Sequence, residues 1–565
     1  MPKEYDRGAV GQSRPGTTDS RGGDGESSDP VYVFVTGGVM SGLGKGITAA
    51  SLGRLLLDRG YSVDAVKVDP YLNVDAGTMA PAEHGEVYVL NDGTEVDLDL
   101  GNYERFLQTD MAAGNNITTG KVYQTVIEKE RSGDYLGETV QIIPHITDEI
   151  KEGIHKVAAG NDFCLIEVGG TVGDIEGMPF LESIRQLKTE LGESKFLLAH
   201  VTLIPHSPNG EQKTKPTQHS IKELRSIGIR PDMIVGRCSE PLTDRTKEKI
   251  ALFGDLPTGA VISNSDVEDI YRAPLQLRVE GFDEFVLENV NPPARVGAGE
   301  PSTGGRPQPP SESDWEKVVS APKGGEISIA LVGKYEIEDS YMSVVEAVNH
   351  AAMNVGVDVE LNHVLSEGVT DPTNVEEIAT ADGVIIPGGF DERGVGGKIS
   401  TAEYARRHDI PTLGLCLGFQ VMVIEYARNV CGLTQAHSTE FDDSTPHPVI
   451  AVMPEQYDVE ELGGTMRLGS YTATVKEGTL AESLYGESVS GRHRHRYEVN
   501  PEYIERLESP DTHLRFSAQM NNRMEIVELD NAAFYFGTQF HPEYGSRPTD
   551  PRPAYVEFLR TARRQ

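Results

Sequence analysis

An interruption constrains this chain more than any other feature. Between residues 291 and 312 the sequence NPPARVGAGEPSTGGRPQPPSE loses hydrophobic periodicity and becomes rich in proline, glycine and serine, the composition of a linker. Apolar runs alternate with helix-length segments on both sides of it. The 565 residues also exceed the roughly 250–300 that one hydrophobic core supports. The chain therefore reads as two domains, at 30–290 and 326–565, joined by a linker at 291–325. Residues 1–29 are polar, rich in Gly, Ser and Asp, and read as a disordered N-terminal extension.

Both domains read as α/β. In the first, VYVFVT at 31–36, SVDAVK at 62–67, FCLIEV at 163–168, KFLLAHVTLI at 195–204, DMIVG at 232–236 and AVIS at 260–263 are apolar, β-branched runs. Helices fit at 179–190, 217–226 and 243–252. Strands apolar on both faces, alternating with helices, predict a P-loop-like parallel sheet covered on both sides. The second domain continues with ISIALVG at 327–333, VDVEL at 357–361, GVIIP at 383–387 and PTLGL at 411–415. Helices fit at about 339–353, 419–429 and 553–564, with shorter strands across 447–540.

Composition removes several functions. Asp plus Glu total 88 against 51 for Lys plus Arg, a net charge of -37. Such a surface repels nucleic acid at long range, though it permits a nucleotide in a local basic pocket. The four cysteines, Cys164, Cys238, Cys416 and Cys431, match neither a zinc spacing nor a disulfide framework. No apolar run approaches the roughly 18 residues that span a membrane. With no signal peptide at the start, the expectation is a cytoplasmic protein with no membrane partner.

Two segments carry chemistry. The loop TGGVMSGLGKGIT at 36–48 joins a strand to a helix. There the backbone N–H groups of Ser41, Gly42, Leu43, Gly44 and Gly46 can cradle phosphates, with Lys45 as a point charge. The usual P-loop pattern is not met, because Val39 stands at the first glycine position and Gly46 replaces the magnesium-binding hydroxyl. Carboxylates can substitute. Alternation in EVDLDLG puts Asp97 and Asp99 on one face of a short strand. Glu167 ends a strand at the edge that faces a ligand crevice, and Asp174 follows. Hard oxygens suit magnesium. Lys213 and Lys215, before a helix start at Pro216, form either an anion site or surface salt bridges.

The second segment is Gly414-Leu415-Cys416-Leu417-Gly418, a nucleophile elbow with cysteine in place of serine. A helix N-terminus there favours thiolate. In QFHPE at 539–543, His541 can serve as the base and Glu543 as its orienter. Gly389, in PGGFDERG, and Leu417 supply N–H donors for an oxyanion. Glu440, in HSTE, can hold a substrate ammonium. The basic run RHRHRYEVN at 492–500 either binds an anionic substrate group or is a surface cluster that interacts with nearby acids.

Together with DPYLNVDAGTM, DLDLGNYERF, GDYLGETVQIIPHIT, IEVGGTVGDIE and KTKPTQHS, these motifs closely resemble the CTP synthase family from about residue 30 onward. The resemblance implies an N-terminal synthetase (amidoligase) domain and a C-terminal class I glutamine amidotransferase domain. It implies ATP-dependent phosphorylation of UTP at O4, then displacement of phosphate by ammonia. The ammonia comes from glutamine and travels through an internal tunnel. It also implies GTP as activator, CTP as inhibitor, Mg2+ as cofactor and a homotetramer. By the same resemblance Lys45 and Lys67 hold ATP phosphates, and Asp99 and Glu167 hold magnesium. Lys213, Lys215, Gln218 and Lys249 hold the UTP triphosphate. Gly389, Gln420, Glu440 and Arg496 contact glutamine. The family usually has Glu where Gly396 stands in RGVGGK, a segment tied to GTP activation. The competing readings are an amidoligase of the cobyrinic acid amidase type, a partitioning-type ATPase switch and a structural filament protein.

Overall fold

The computed structural model describes residues 29–40, 42–80, 85–293, 313–336, 338–453 and 466–564. The expected N-terminal extension, but for Asp29, and most of the expected linker therefore lie outside the described residues.

The apolar runs of the first domain form one seven-stranded sheet. Its strand order is Asn116–Thr118, Val63–Asp69, Phe163–Val168, Val31–Gly37, Phe196–Leu203, Met233–Cys238 and Val261–Ser265. Every pairing is parallel. Val31–Gly37 is buried along its whole length, as a strand covered on both faces must be. The second domain has a nine-stranded mixed sheet. Asp358–Leu365, Glu326–Gly333, Gly383–Ile386, Thr412–Leu415 and Tyr535–Thr538 run parallel. Arg523–Leu529, Leu514–Met520, Arg467–Val475 and Ser488–His495 extend it antiparallel.

Four expectations need correction. The strands expected to be shorter across 447–540 include runs of nine and eight residues, because antiparallel hairpins are not limited by crossover helices. The segment 291–325 is not all linker. Asp314–Val319 is helical, and Trp315, the chain's one tryptophan, is 2% exposed against Phe106 and Tyr271. Burying that ring outweighs the ordering cost of one helical turn. Asp97 and Asp99 do not share a strand, since Glu95–Asp97 ends at Asp97 and Asp99 opens the helix Asp99–Leu107. The Asp97 carboxylate accepts the Asp99 N–H at 3.1 Å, the local side-chain bond that favours a helix start over a continued strand. Finally, Arg492 and Arg494 of the basic run are not a surface cluster. Arg492 is 4% exposed and reaches across to the first domain.

That contact joins the halves. The fully buried Glu104 accepts hydrogen bonds from Arg492 and Arg547, each at 2.8 Å, and from Tyr88 at 2.5 Å. Arg494 donates to Glu95 at 2.8 Å. The Ser343 N–H donates to Glu86 at 2.8 Å. Met353 and Tyr544 of the second domain pack in the first domain's apolar core.

Removing one partner of a buried ion pair strands the other, at about 3–5 kcal/mol. Glu104→Ala should therefore lower stability by about that amount in chemical denaturation. A loss under about 1 kcal/mol would show the interdomain pairing to be dispensable.

Candidate functional site

The glycine loop lies at the C-terminal edge of the parallel sheet, where such sheets bind ligands. A Cβ at Gly38 would fall 1.5 Å from the Ser220 hydroxyl, so only glycine lets the helix Lys215–Ser226 pack against the loop. The His200 ring bridges the hydroxyls of Thr36 and Ser220 at 2.9 and 2.7 Å. Burial, with Lys45 adding to it, lowers its pKa to about 3, so the support beneath the loop is neutral. Ser41 lies outside the described residues. Gly42, Leu43, Gly44, Lys45 and Gly46 line a cavity of about 870 Å³, with Asp99 and Glu167 opposite.

The missing hydroxyl has a geometric answer. A Cβ at Gly46 would lie 3.2 Å from Asp99 Oδ1 and 3.2 Å from Glu167 Oε2. The two carboxylates occupy the space that a P-loop serine or threonine side chain would use. Lys67 pairs with both, at 3.2 Å from Glu167. Burial opposes its charge, but Asp99, Glu167, Asp69 and Asp97 hold its pKa well above the ordinary lysine value. Burial pushes Asp69 up to about 7 despite Lys67, with Asp97, Asp99 and Glu167 adding to the rise. Lys45 donates to the Gly170 carbonyl at 2.9 Å, and burial lowers its pKa against the pull of Glu167. Asp174 lines the same cavity.

The expected triphosphate residues lie apart from this cavity. Lys249 and the loop around Thr214 line a separate one of about 260 Å³. Lys213 pairs with Glu211 at 2.6 Å, and Gln218 donates to the Thr214 hydroxyl at 3.0 Å. Lys215 is the first residue of its helix.

In the second domain the elbow forms as its sequence requires. Cys416 has φ 53° and ψ −100° directly before the helix Leu417–Asn429, a conformation costing about 1–3 kcal/mol for a non-glycine residue. The bond from its N–H to the Thr538 carbonyl, at 2.8 Å, helps to hold it there. A Cβ at Gly418 would stand 1.8 Å from the Ile386 carbonyl oxygen, which explains that glycine. His541 Nδ1 meets Glu543 Oε1 at 2.7 Å, leaving Nε2 for the thiol. The ring also stacks on Tyr544. Burial opposes charge on this imidazole, yet Glu543 and Cys416 outweigh it and raise its pKa to about 10.

Gly389, Leu417, Gln420, Glu440 and Arg496 line a cavity of about 470 Å³ at Cys416, so the structure brings together every residue expected there. Burial raises the Glu440 pKa to about 7, against Lys334. Gly77, Thr78 and Met79 of the first domain line the same cavity. A smaller cavity of about 60 Å³ is lined both by Cys416 and His541 and by Glu86 and Val87 of the first domain.

Sequence reasoning missed Lys334 and Lys398. Lys334 donates to the carbonyls of Phe390 and Asp391. Lys398, 0% exposed, donates to Pro387 at 2.6 Å and Gly388 at 3.2 Å. A signal existed: these are the only two lysines between Lys323 and Lys476.

A strained, histidine-paired cysteine beside a glycine loop, joined to a lysine- and carboxylate-lined phosphate loop, defines a glutamine amidotransferase coupled to a synthetase. The comparisons narrow the class. The model for the CTP synthase N-terminus matches residues 31–291, and that for class-I glutamine amidotransferases matches 336–561. The CTP synthase of Halobacterium salinarum is 59% identical over 94% of this chain and 94% of its own length. That of Archaeoglobus fulgidus is 56% identical over 94% and 98%. The solved glutaminase domain of Trypanosoma brucei CTPS with bound acivicin is 36% identical, covering 43% of this chain and 95% of its own, at a TM-score of 0.39. The chain belongs to the CTP synthase family. It is a glutamine-hydrolysing ligase that aminates UTP to CTP at the expense of ATP. Among the described residues no helix is long and apolar enough to cross a membrane.

The raised His541 pKa has a pH consequence. Its folded value of about 10 exceeds the unfolded value of about 6.5. The stabilisation from its charge is therefore full below about pH 6.5 and is lost as pH rises through about 10. The stability gap between the wild type and His541→Gln should narrow across that window in chemical denaturation. A gap that stays constant or widens would contradict the assignment.

Proposed function

We propose a residue-level division of labour between the two sites. In the first domain the N–H groups of the glycine loop, with Lys45 and Lys67, bind the ATP phosphates. Lys213, Lys215, Gln218 and Lys249 bind the UTP triphosphate. The uracil O4 attacks the γ-phosphorus and ADP leaves. Ammonia then adds at C4, the C4–O bond breaks, phosphate departs and the nitrogen loses a proton. The hard-oxygen pair Asp99 and Glu167, in the space beside Gly46, fits Mg2+, which prefers few protein carboxylates plus phosphate and water. When bound, it would neutralise phosphate charge.

In the second domain Arg496 and Glu440 hold the charged groups of glutamine, and Gln420 contacts it. The Cys416 thiolate attacks the amide carbon, and the C=O electron pair moves to oxygen, facing the N–H groups of Gly389 and Leu417. His541, steadied by Glu543, gives its proton to the departing ammonia. Water then releases glutamate from the thioester. The carrying observation is the cavity that Cys416 lines together with Glu86 and Val87 of the first domain. It supports internal passage of ammonia, and this passage is what couples the two reactions.

GTP as activator, CTP as inhibitor overlapping the UTP site, and a cytoplasmic location complete the reading. The family resemblance adds a homotetramer to the reading. The triphosphate residues lie outside the cavity of the glycine loop, which supports a UTP site completed by neighbouring subunits.

Cys416→Ala should abolish glutamine-dependent CTP formation and spare the ammonia-dependent reaction, whereas Lys45→Ala should remove both. Product assays with each nitrogen source test this. Equal losses in Cys416→Ala, or near wild-type ammonia-dependent turnover in Lys45→Ala, would refute the division.

Salt dependence follows from charge. Each chain carries -37 and a tetramer four times that, while the screening length falls from about 10 Å at 0.1 M salt to about 3 Å at 1 M. Assembly and CTP synthesis should need molar salt, and glutamine hydrolysis should tolerate dilution further. Light scattering and both assays across a salt series would expose the alternative, a stable and fully active tetramer at about 0.1 M.

A further inference from the structure

The loop after Gly383–Ile386 lies against the catalytic cysteine, and two buried lysines grip it. Lys398 takes the carbonyls of Pro387 and Gly388. Lys334 takes those of Phe390 and Asp391. Gly389, the residue between the two pairs, is the expected oxyanion donor. In a trans peptide the C=O and N–H point in opposite directions. Fixing the Gly388 carbonyl on the Lys398 side therefore turns the Gly389 N–H to the other side. A Cβ at Gly388 would lie 3.2 Å from His541 Cε1 and 3.7 Å from Cys416 Cβ, so the loop touches the triad at this point. A Cβ at Gly389 would lie 3.7 Å from Leu417 Cδ2, which brings the two expected donors together.

From this geometry we infer that Lys398 is a positioning residue for glutamine hydrolysis: it sets the Gly388–Gly389 peptide so that the Gly389 N–H faces the tetrahedral oxyanion. The inference rests on the proposed triad and donors. Lys398 touches neither substrate nor reacting atoms and acts through the peptide that it holds. Its surroundings suit this task. Burial, with Lys334 adding to it, lowers its pKa well below the ordinary lysine value, against the pull of Cys416. A lowered pKa reduces the cost of keeping this amine buried while it donates to both carbonyls. Lys334 differs, because it also faces the Asp391 carboxylate at 3.2 Å and so carries an anionic partner. Lys398 thus fixes the peptide that enters Gly389, and Lys334 fixes the peptides that follow Phe390.

The step served is the collapse and re-formation of negative charge on the amide oxygen. In attack, the S–C bond forms and the carbonyl π pair moves to oxygen. That charge returns to the carbonyl as the C–N bond breaks and ammonia leaves with the His541 proton. Misorienting one oxyanion donor costs about 10²–10³ in kcat in comparable sites, with little change in KM, because the charge exists only in the transition state.

The experiment uses the full chain with Lys398→Met, which keeps length and removes the donors, and Lys398→Gln, which keeps an N–H2 group. Three readouts are compared: glutamine hydrolysis, inhibition by a glutamate γ-aldehyde that forms a tetrahedral adduct, and alkylation of Cys416 by iodoacetamide, which needs no oxyanion. For Lys398→Met we expect kcat to fall about 10²-fold with KM nearly unchanged. Aldehyde affinity should fall in parallel, while alkylation and ammonia-dependent CTP formation stay at wild-type rates. Lys398→Gln should recover part of the loss. Unchanged kcat in Lys398→Met, or alkylation and ammonia-dependent synthesis that decline together with kcat in both variants, would overturn the inference. Failure of the underlying triad would appear separately, as glutamine hydrolysis persisting in Cys416→Ala.

Discussion

Glu104 has no exposed side-chain surface, and two arginines of the other domain share it. One of them, Arg492, has a second task. Its backbone carbonyl accepts the His541 N–H at 2.8 Å, while its guanidinium reaches Glu104. The position of His541, the proposed base, is thus tied, through one residue, to a helix of the synthetase domain. In water such a pairing would be worth little. Buried, it is costly to break, because each group left behind would keep its charge without solvent. The contact therefore specifies how the halves meet, and the cavities shared between domains depend on it.

Much of this was legible in the sequence, for identifiable reasons. Strands such as Phe163–Val168 are apolar at nearly every position, so their burial in a parallel sheet could be read directly. The elbow was legible because glycines flank the cysteine and the Gly418–Ile386 approach excludes any side chain. Asp99 and Glu167 were read as candidates for the role of the missing hydroxyl, and both lie beside Gly46, although the element carrying Asp99 was misread. Alternation argues strand, and only the bond from the Asp99 N–H to Asp97 reveals the helix start. The basic run stayed ambiguous because its partners, Glu95 and Glu104, lie about four hundred residues away. No local pattern encodes such a pairing.

Charge is divided unevenly in this molecule. The chain as a whole is strongly acidic, yet several of its basic side chains are buried: Lys45 and Lys67 at the first glycine loop, Lys334 and Lys398 beneath the second, Arg492 and Arg547 at the seam. In a chain with few lysines, a buried one is a strong pointer to a positional task. Each of these buried basic groups has named acceptors.

The segment around the start of the helix Met342–Val355 faces two ways. Asp339, Met342 and Glu346 border the cavity of the first glycine loop, while Ser340, Tyr341 and Val344 border the small cavity at Cys416. The turn Glu338–Tyr341 and the first turns of this helix are therefore a wall common to both cavities. A bulkier residue at Val344 or a shifted turn at Ser340 would press on the neighbouring cavity as well.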